Sequence, residues 1–190
     1  MKQLKISIIF LAVMSLFLGI LYPLMMTLAA QIAFPGKANG SLVIVDGRIV
    51  GSALIGQGFS GPEYFHGRPS ACDYDGLSSG GSNFGPTNKK HIDRAVERAA
   101  VVRKENSLPA DAGIPSDLVL ASASGLDPHI SLQAALLQAP RVARARGVDT
   151  PVITGLVEKR TEKRYFGLFG DSFVNVLGLN LLLDAMSAGR

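Results

Sequence analysis

The stretch from Ile6 to Gly36 contains no charged residue, and this run constrains the fold more than any other feature. About 20 apolar residues of helix cross the hydrocarbon core of a bilayer, whereas the apolar part of a cleaved signal peptide spans only about 7–15 residues. The length therefore predicts an uncleaved transmembrane anchor over residues 6–33. Thr27 to Ala29 also fit a small-residue cleavage site loosely, so cleavage stays open as an alternative. Pro23 should bend the helix or mark the start of its outer third.

Lys2 and Lys5 precede the anchor and indicate its orientation, because positively charged residues stay on the cytoplasmic side of a first span. We therefore predict a cytoplasmic N-terminus at residues 1–5 and an extracytoplasmic domain over residues 34–190. The later apolar stretch "FVNVLGLNLLLDAM" is too short to cross a bilayer and suits a core element of that domain.

The charge and cysteine content limit the partners and the fold class. The formal net charge is only +4 over 190 residues, which argues against a nucleic-acid partner. Cys72 is the only cysteine, so the chain cannot form an internal disulfide, and an exported domain must rely on its core. No neighbouring motif would activate the Cys72 thiol, which indicates a buried structural role.

The first half of the domain predicts a hairpin, an irregular segment and a helix. Asp46 and Gly47 form a favoured two-residue turn between β-branched runs, which indicates a β-hairpin. The segment Gly56–Pro86 lacks periodicity, and long irregular segments in compact domains are often functional. Asn88 suits the cap of the helix that follows. The apolar face of that helix should consist of Ile92, Val96, Ala99 and Val102.

The second half predicts a short buried strand over Asp117–Ser122, followed by a turn at "SGLDPHIS". Ser131 should cap the next helix, which Pro140 kinks or restarts and which Gly147 ends.

Thr150 and Pro151 should begin a further helix that runs to about Glu162. "SFVNVLGLNLLLDAM" then predicts a last strand and a short helix. Strands and helices are mixed, so the predicted fold class is a single N-terminal transmembrane helix followed by one mixed α/β (α+β) extracytoplasmic domain.

The sequence indicates no catalytic or metal-binding site. His66, His91 and His129 lack the short ligand spacing of a zinc site, so we assign no metal. Asp127 and His129 lie close to Ser122 and Ser124, and a free-standing anchored hydrolase could be imagined from them. Pro128 and the tight turn favour a turn or capping role for Asp127 instead, so we assign no catalytic residue.

The stretch "LSSGGSNFGPTN", residues 77–88, has two interpretations. Its successive N–H groups could form an anion-binding nest, or its glycines could simply permit positive φ in a turn-rich connector. No Walker loop is present in the chain. Gln138 and Arg141 are three residues apart and could share a helix face that holds a polar ligand or a partner, or form an ordinary surface pair.

Five blocks in this chain, in this order after one N-terminal span, resemble the C subunit family of the bacterial Kdp potassium-transporting ATPase. They are "GQGFSGPEYFHGRPSA", "SSGGSNFGPTN", "SGLDPHIS", "RVARARG" and "VNVLGLNLLLD". The resemblance extends from the anchor to about Asp184. "LSSGG" alone would carry little weight.

The resemblance implies a subunit of a bacterial inner-membrane complex for high-affinity potassium uptake. Potassium is the ion that this complex transports, and a channel-like A subunit conducts it. A P-type ATPase B subunit hydrolyses ATP, and a small F subunit is a single helix. The C subunit is assigned to assembly and, as a catalytic chaperone, to raising the ATP affinity of the B subunit. This chain has no Asp-Lys-Thr-Gly-Thr motif, which agrees with an accessory subunit that is not an enzyme by itself.

The family assignment leaves a conflict over ATP. "LSSGG" is similar to a degraded signature motif of ABC ATPases, and a nucleotide-binding regulatory subunit would contact ATP through Ser79, Gly80, Gly81, Ser82 and Gln138. The usual final Gln of that motif is replaced by Ser82. The predicted orientation places this loop outside, away from cytoplasmic ATP. Any effect on ATP affinity would then be indirect, through the conformation of the complex.

The partner surfaces can also be predicted. Ala12, Ser15 and Gly19 are small residues that would let the anchor, which otherwise faces membrane lipid, approach helices of the ion-conducting subunit. The domain should lie over the external ion entrance, with Gly56–Pro86 and the "SGLDPHIS" turn as its partner-facing segments.

Overall fold

The computed structural model describes residues 1–188, and these form two compact units, one over Met1–Ser52 and one that begins at Ala53. The first unit holds the apolar helix and a hairpin, and the second holds the α/β domain. One apolar N-terminal helix in front of a mixed domain confirms the predicted fold class.

The apolar helix runs over Lys2–Ala33, contains an 18-residue stretch with a mean hydropathy of 2.5, and is, by length and composition, able to cross a membrane. It consists of α1 (Lys2–Leu16), a π-helical turn (Phe17–Leu21) and α2 (Tyr22–Ala33). Pro23 has no N–H and its ring crowds the carbonyl four residues earlier, so the widened turn lets the helix continue through it.

A hairpin completes the first unit. The chain leaves α2 at Phe34, makes one short helical turn, α3 (Pro35–Ala38), and enters the antiparallel strands β1 (Leu42–Val45) and β2 (Arg48–Ser52). Asp46 and Gly47 have φ of 49° and 75°, the two positive values that a type I′ turn requires. The predicted hairpin is therefore confirmed.

Caps define the helices of the second unit much as the sequence predicts. In α4 (Lys89–Glu105) the Asn88 side chain accepts a hydrogen bond from the Lys90 N–H, 2.9 Å. In α5 (Leu132–Arg146) the Ser131 hydroxyl accepts one from the Ala134 N–H, 3.1 Å, and Gly147 ends the helix with φ of 64°. Both capped helices are confirmed.

The two other helices are α6 (Thr150–Arg160) and α7 (Val176–Ala188). Asp149, not Thr150, is the N-cap of α6, and its side chain makes no capping hydrogen bond. Pro140 lies inside α5 without dividing it into two helices. The predicted final strand and helix are confirmed as β4 (Phe173–Asn175) followed by α7.

The core forms where α5, α6 and α7 meet a small antiparallel sheet, in which Ile130 of β3 (His129–Ser131) pairs with Val174 of β4. The largest fully buried apolar side chains are Phe65, Ile130, Ile153, Leu179, Leu183, Val142, Val157 and Val174.

Two predictions about local structure are wrong. Asp117–Ser122 is not a strand, because Ser116–Leu118 forms a 3-10 turn whose Asp117 carboxylate accepts a hydrogen bond from the Ser131 N–H, 2.6 Å. The end of "SGLDPHIS" is a strand, β3, since it pairs with β4, a partner far along the chain.

The predicted apolar face of α4 is only partly correct. Val102 packs against the core, whereas Ile92 and Val96 are exposed. Ile92 and Val96 therefore lie on the surface of the second unit.

Candidate functional site

Side chains from two helices bind the backbone of the irregular segment. Residues 56–86, all of them described, contain neither helix nor strand, as predicted. The Asn180 amide on α7 accepts from the Phe65 N–H, 2.8 Å, and donates to the Phe65 carbonyl, 3.0 Å. The Gln138 amide on α5 does the same for His66, at 2.8 and 3.1 Å. These two amides replace the strand partner that the segment lacks.

Arg141, one turn after Gln138 on α5, completes this arrangement. Its guanidinium donates to the carbonyls of Pro62 and Tyr64, at 2.7 and 3.0 Å, and to the side-chain oxygens of Asn106 and Gln138, at 3.1 and 2.8 Å. The side chain is 6% exposed. Burial lowers the pKa of Arg141 below its ordinary value, while Glu105 and Glu63 oppose that shift.

Arg146 binds the same segment from the next turn of α5. Its Nε donates to the Glu63 carbonyl, 2.7 Å, and its Nη2 lies 2.8 Å from Asp184 Oδ1 on α7. The Tyr64 hydroxyl donates to the other oxygen of Asp184, 3.2 Å. Blocks "RVARARG" and "NLLLD" are therefore partners of "PEYFH", and we call residues 62–66 the bound segment.

Gln138 and Arg141 do share a helix face, but that face is internal. Both side chains are buried, and they bond each other and the bound segment. Their positions in the core follow from α5 packing between α6 and the irregular segment, a tertiary arrangement that residue spacing alone does not define.

The Ser/Gly-rich loop is fixed against the "SGLDPHIS" turn. The Ser79 hydroxyl and the Gly80 N–H both donate to the Ser124 carbonyl, at 2.9 and 2.8 Å. A Cβ on Gly81 would lie 2.9 Å from the Ala123 carbonyl oxygen, and one on Gly125, where φ is +70°, only 2.7 Å from the Gly80 oxygen. The glycines here permit close backbone contact, and the Gly80 N–H is already occupied.

Two further contacts join the irregular segment to the same turn. The Gly56 N–H donates to the Leu126 carbonyl, 2.8 Å, and the Arg68 guanidinium donates to Asp127, 2.9 Å. The structure thus brings together the two segments predicted to face a partner, Gly56–Pro86 and residues 124–131.

Ser82 lines a polar cavity of about 240 Å³ beside α4. The other polar or aromatic side chains that line it are Ser70, Asp73, Phe84, His91, Arg94 and Arg98. Arg94 lies over the Phe84 ring at 5.3 Å, and Arg98 donates to the Val119 carbonyl, 3.1 Å. Neither arginine forms a salt bridge within residues 1–188.

Burial, and then the charge of Arg94, lower the pKa of Arg98. Arg94 is exposed, and the cavity is lined by these two arginines and by the acidic Asp73. Gln138 lines a different cavity of about 360 Å³, together with His66 and Arg98. The structure therefore does not bring Gln138 and Ser82 into one pocket.

Asp127 and His129 form a local turn. Asp127 Oδ1 accepts from the His129 N–H, 3.0 Å, and the His129 ring packs on Phe173 with centroids 4.3 Å apart. Among the hydrogen bonds of the described chain, none joins the hydroxyl of Ser122 or Ser124 to His129. The geometry of these residues matches the turn role that the sequence favours.

The first unit, by contrast, exposes its apolar side chains. Ile44 and Ile49 are cross-strand partners in the hairpin and are 62% and 64% exposed. An isolated two-stranded hairpin is marginally stable in water. This exposed hairpin surface, Leu42, Ile44 and Ile49, is a feature that the turn signal alone did not reveal.

An apolar N-terminal helix followed by a small α/β domain defines a class of single-span membrane proteins. The family model for the K⁺-transporting ATPase c chain, KdpC, matches residues 4–185. The chain therefore belongs to the KdpC family.

Curated relatives are similar in sequence to this chain over nearly its whole length. The potassium-transporting ATPase KdpC subunit of Nitratidesulfovibrio vulgaris is 54% identical, covering 89% of this chain and 87% of the relative. The KdpC subunit of Gemmatimonas aurantiaca is 49% identical over 99% and 95%. That of Mycobacterium tuberculosis is 47% identical over 97% and 99%.

Proposed function

We propose that this chain is an accessory subunit of an ATP-driven complex for high-affinity potassium uptake. Membership in the KdpC family over residues 4–185 carries the proposal. The structure agrees with it, because the first unit exposes an apolar helix, whose most apolar stretch is entirely unburied, and an apolar hairpin surface. Such surfaces are stable in a membrane and against partner subunits, not in water. The partners are the channel-like A subunit, the ATP-hydrolysing B subunit and the small F subunit.

The anchor provides one contact of the assembly. Ala12, Ser15 and Gly19 follow one another at helical spacing, and a Cβ added at Gly19 would meet no other atom within 4 Å. This open, small-residue stripe lets a helix of the A subunit approach closely, while the rest of the helix faces lipid.

In this proposal residues 1–5 are cytoplasmic, residues 6–33 span the bacterial inner membrane and residues 34–190 are periplasmic. The domain covers the external ion entrance, and the exposed parts of Gly56–Pro86 and of residues 124–131 face the partner. The subunit performs no ATP hydrolysis. It acts as a catalytic chaperone by favouring the pump conformation that binds ATP more tightly, a coupling that linkage permits across a membrane.

Copurification tests this function. The tagged chain, extracted in mild detergent from potassium-starved cells, should bring down a P-type ATPase subunit in a complex of defined size. If it elutes alone from membranes that contain the other subunits, the proposal is wrong.

A second candidate function, nucleotide binding by the Ser/Gly-rich loop, is favoured by the arginine-lined cavity beside Ser82. Ligand pockets commonly measure about 300–1,000 Å³, and this cavity of about 240 Å³ is smaller. The Gly80 N–H is already bonded and is not free for a phosphate. Gln138 lines a different cavity from Ser82. If this candidate is correct, Ser79, Gly81 and Ser82 contact part of the nucleotide.

A reporter fused after Arg190 discriminates between the two functions. Alkaline phosphatase is active only outside the cytoplasm, so the accessory-subunit proposal predicts high phosphatase activity at this position. A cytoplasmic reporter at the same position should then be inactive. The reverse pattern would place the loop where ATP is present and would support direct nucleotide binding.

A further inference from the structure

An exposed apolar turn projects from the second unit after α6. The turn comprises Tyr165, Phe166, Gly167, Leu168 and Phe169, and we call it the aromatic tip. Phe166 is 92% exposed, and the other three large side chains are all more than half exposed. Apolar residues exposed singly are normal, but four in one turn mark an interaction site.

The conformation of the tip keeps these side chains away from the core. Tyr165 and Phe169 exchange two backbone hydrogen bonds of 3.0 Å each, and Phe166 and Gly167 have φ of 53° and 73°. Below the tip, Glu162 and Phe173 exchange a further pair, at 2.9 and 3.1 Å. The turn is therefore closed by its own backbone, and its side chains are presented outward.

Charged residues flank the tip in the sequence, and the basic ones, Lys159, Arg160, Lys163 and Arg164, outnumber the acidic ones, Glu158, Glu162 and Asp171. Lys159, Arg160 and Lys163 are without a salt bridge in the part of the chain that the structure describes, and Arg164 pairs with Asp171 at 2.7 Å. Aromatic and aliphatic side chains next to lysine and arginine are typical of segments that enter the boundary between headgroups and acyl chains.

We propose that the aromatic tip inserts into the interfacial region of the membrane, with the adjacent basic residues facing anionic headgroups. The chain carries its own candidate span, and residues 34–52 join that span to the second unit. This contact goes beyond the accessory role and depends only on the membrane anchor.

A lipid surface fits the tip better than a protein partner does. A specific protein interface usually buries about 800 Å² on each side, whereas five residues of one turn form a small convex projection. Insertion requires a depth of only about 5–10 Å, which four adjacent apolar side chains suit well.

The chain contains no tryptophan, so Phe166→Trp creates a single fluorescent probe at the tip. The full chain carrying this substitution should be reconstituted into vesicles of phosphatidylglycerol and phosphatidylethanolamine, with and without bromine-labelled acyl chains. We expect emission at shorter wavelength than in water and loss of most of the intensity with the brominated lipid. Leu77→Trp is the matched control, since Leu77 is 99% exposed in a loop of the same unit.

The basic residues are tested in the same assay. Combining Phe166→Trp with Lys159→Gln and Lys163→Gln, or using vesicles of phosphatidylcholine alone, should reduce the quenching severalfold. Equal quenching of the probes at positions 166 and 77 would overturn the proposal. So would a probe at position 166 that stays in water until the other subunits are added, because the tip would then contact protein.

Discussion

Replacing Ile44 and Ile49 together with threonine should weaken assembly of the chain with its partner subunits by about 100-fold. Threonine keeps the β-branched shape that a strand favours, so the hairpin itself should persist. Each replacement exchanges apolar surface for a hydroxyl and removes about 1.5 kcal/mol of burial at an interface. Together they remove about 3 kcal/mol, which corresponds to about a hundredfold in the dissociation constant.

The measurement is copurification of the tagged double variant, together with growth of its host at limiting potassium. Val96→Thr on α4 is the matched control, because Val96 is as exposed as Ile49 and has the same branching. Normal assembly of the Ile44→Thr/Ile49→Thr chain would show that the exposed hairpin surface is not the interface.

Arg141→Met should lower the free energy of unfolding of the second unit by about 3 kcal/mol. Methionine fills the position of the arginine side chain as far as Nε but removes the guanidinium, the donor shared by Pro62, Tyr64, Asn106 and Gln138. Each buried acceptor left without a partner costs about 1–3 kcal/mol, partly offset because a buried charge is also removed. Pulse proteolysis of the detergent-solubilised chain over a urea series measures the change.

Arg144→Met is the control for this experiment. Arg144 lies on the same helix, but it is exposed and makes one long bond of 3.3 Å to the Ser107 hydroxyl. Its replacement should cost no more than about 0.5 kcal/mol. Equal effects of the two substitutions would mean that the bound segment does not depend on Arg141.

Local chemistry explains which elements could be predicted. Asn88 and Ser131 cap helices with their own side chains, and Asp46-Gly47 adopts the positive φ values of its turn, so each signal is contained within a few residues. The strand prediction for Asp117–Ser122 is wrong because a short apolar run does not distinguish a strand from a buried turn.

The site was less predictable, because its contacts join residues far apart in the chain. The spacing of Gln138 and Arg141 predicts that they share a helix face. Whether that face is exposed or buried depends on the bound segment, which covers it. The Ser/Gly-rich loop has a composition that fits both a phosphate-binding nest and a connector, and in the structure the Gly80 N–H donates to the Ser124 carbonyl. Sequence spacing cannot show that a distant carbonyl already fills such a position.

The bound segment also determines the order in which parts of the chain can fold during synthesis. Phe65 depends on Asn180, a residue 115 positions later, so the segment cannot reach its final structure until almost the whole chain has been synthesised. The strands of the first-unit hairpin pair residues that lie at most ten positions apart, Leu42 with Ser52, and the helix before them is built from local hydrogen bonds, so both can form early in synthesis. A nascent chain would therefore present its apolar hairpin to waiting partners first and complete its domain afterwards.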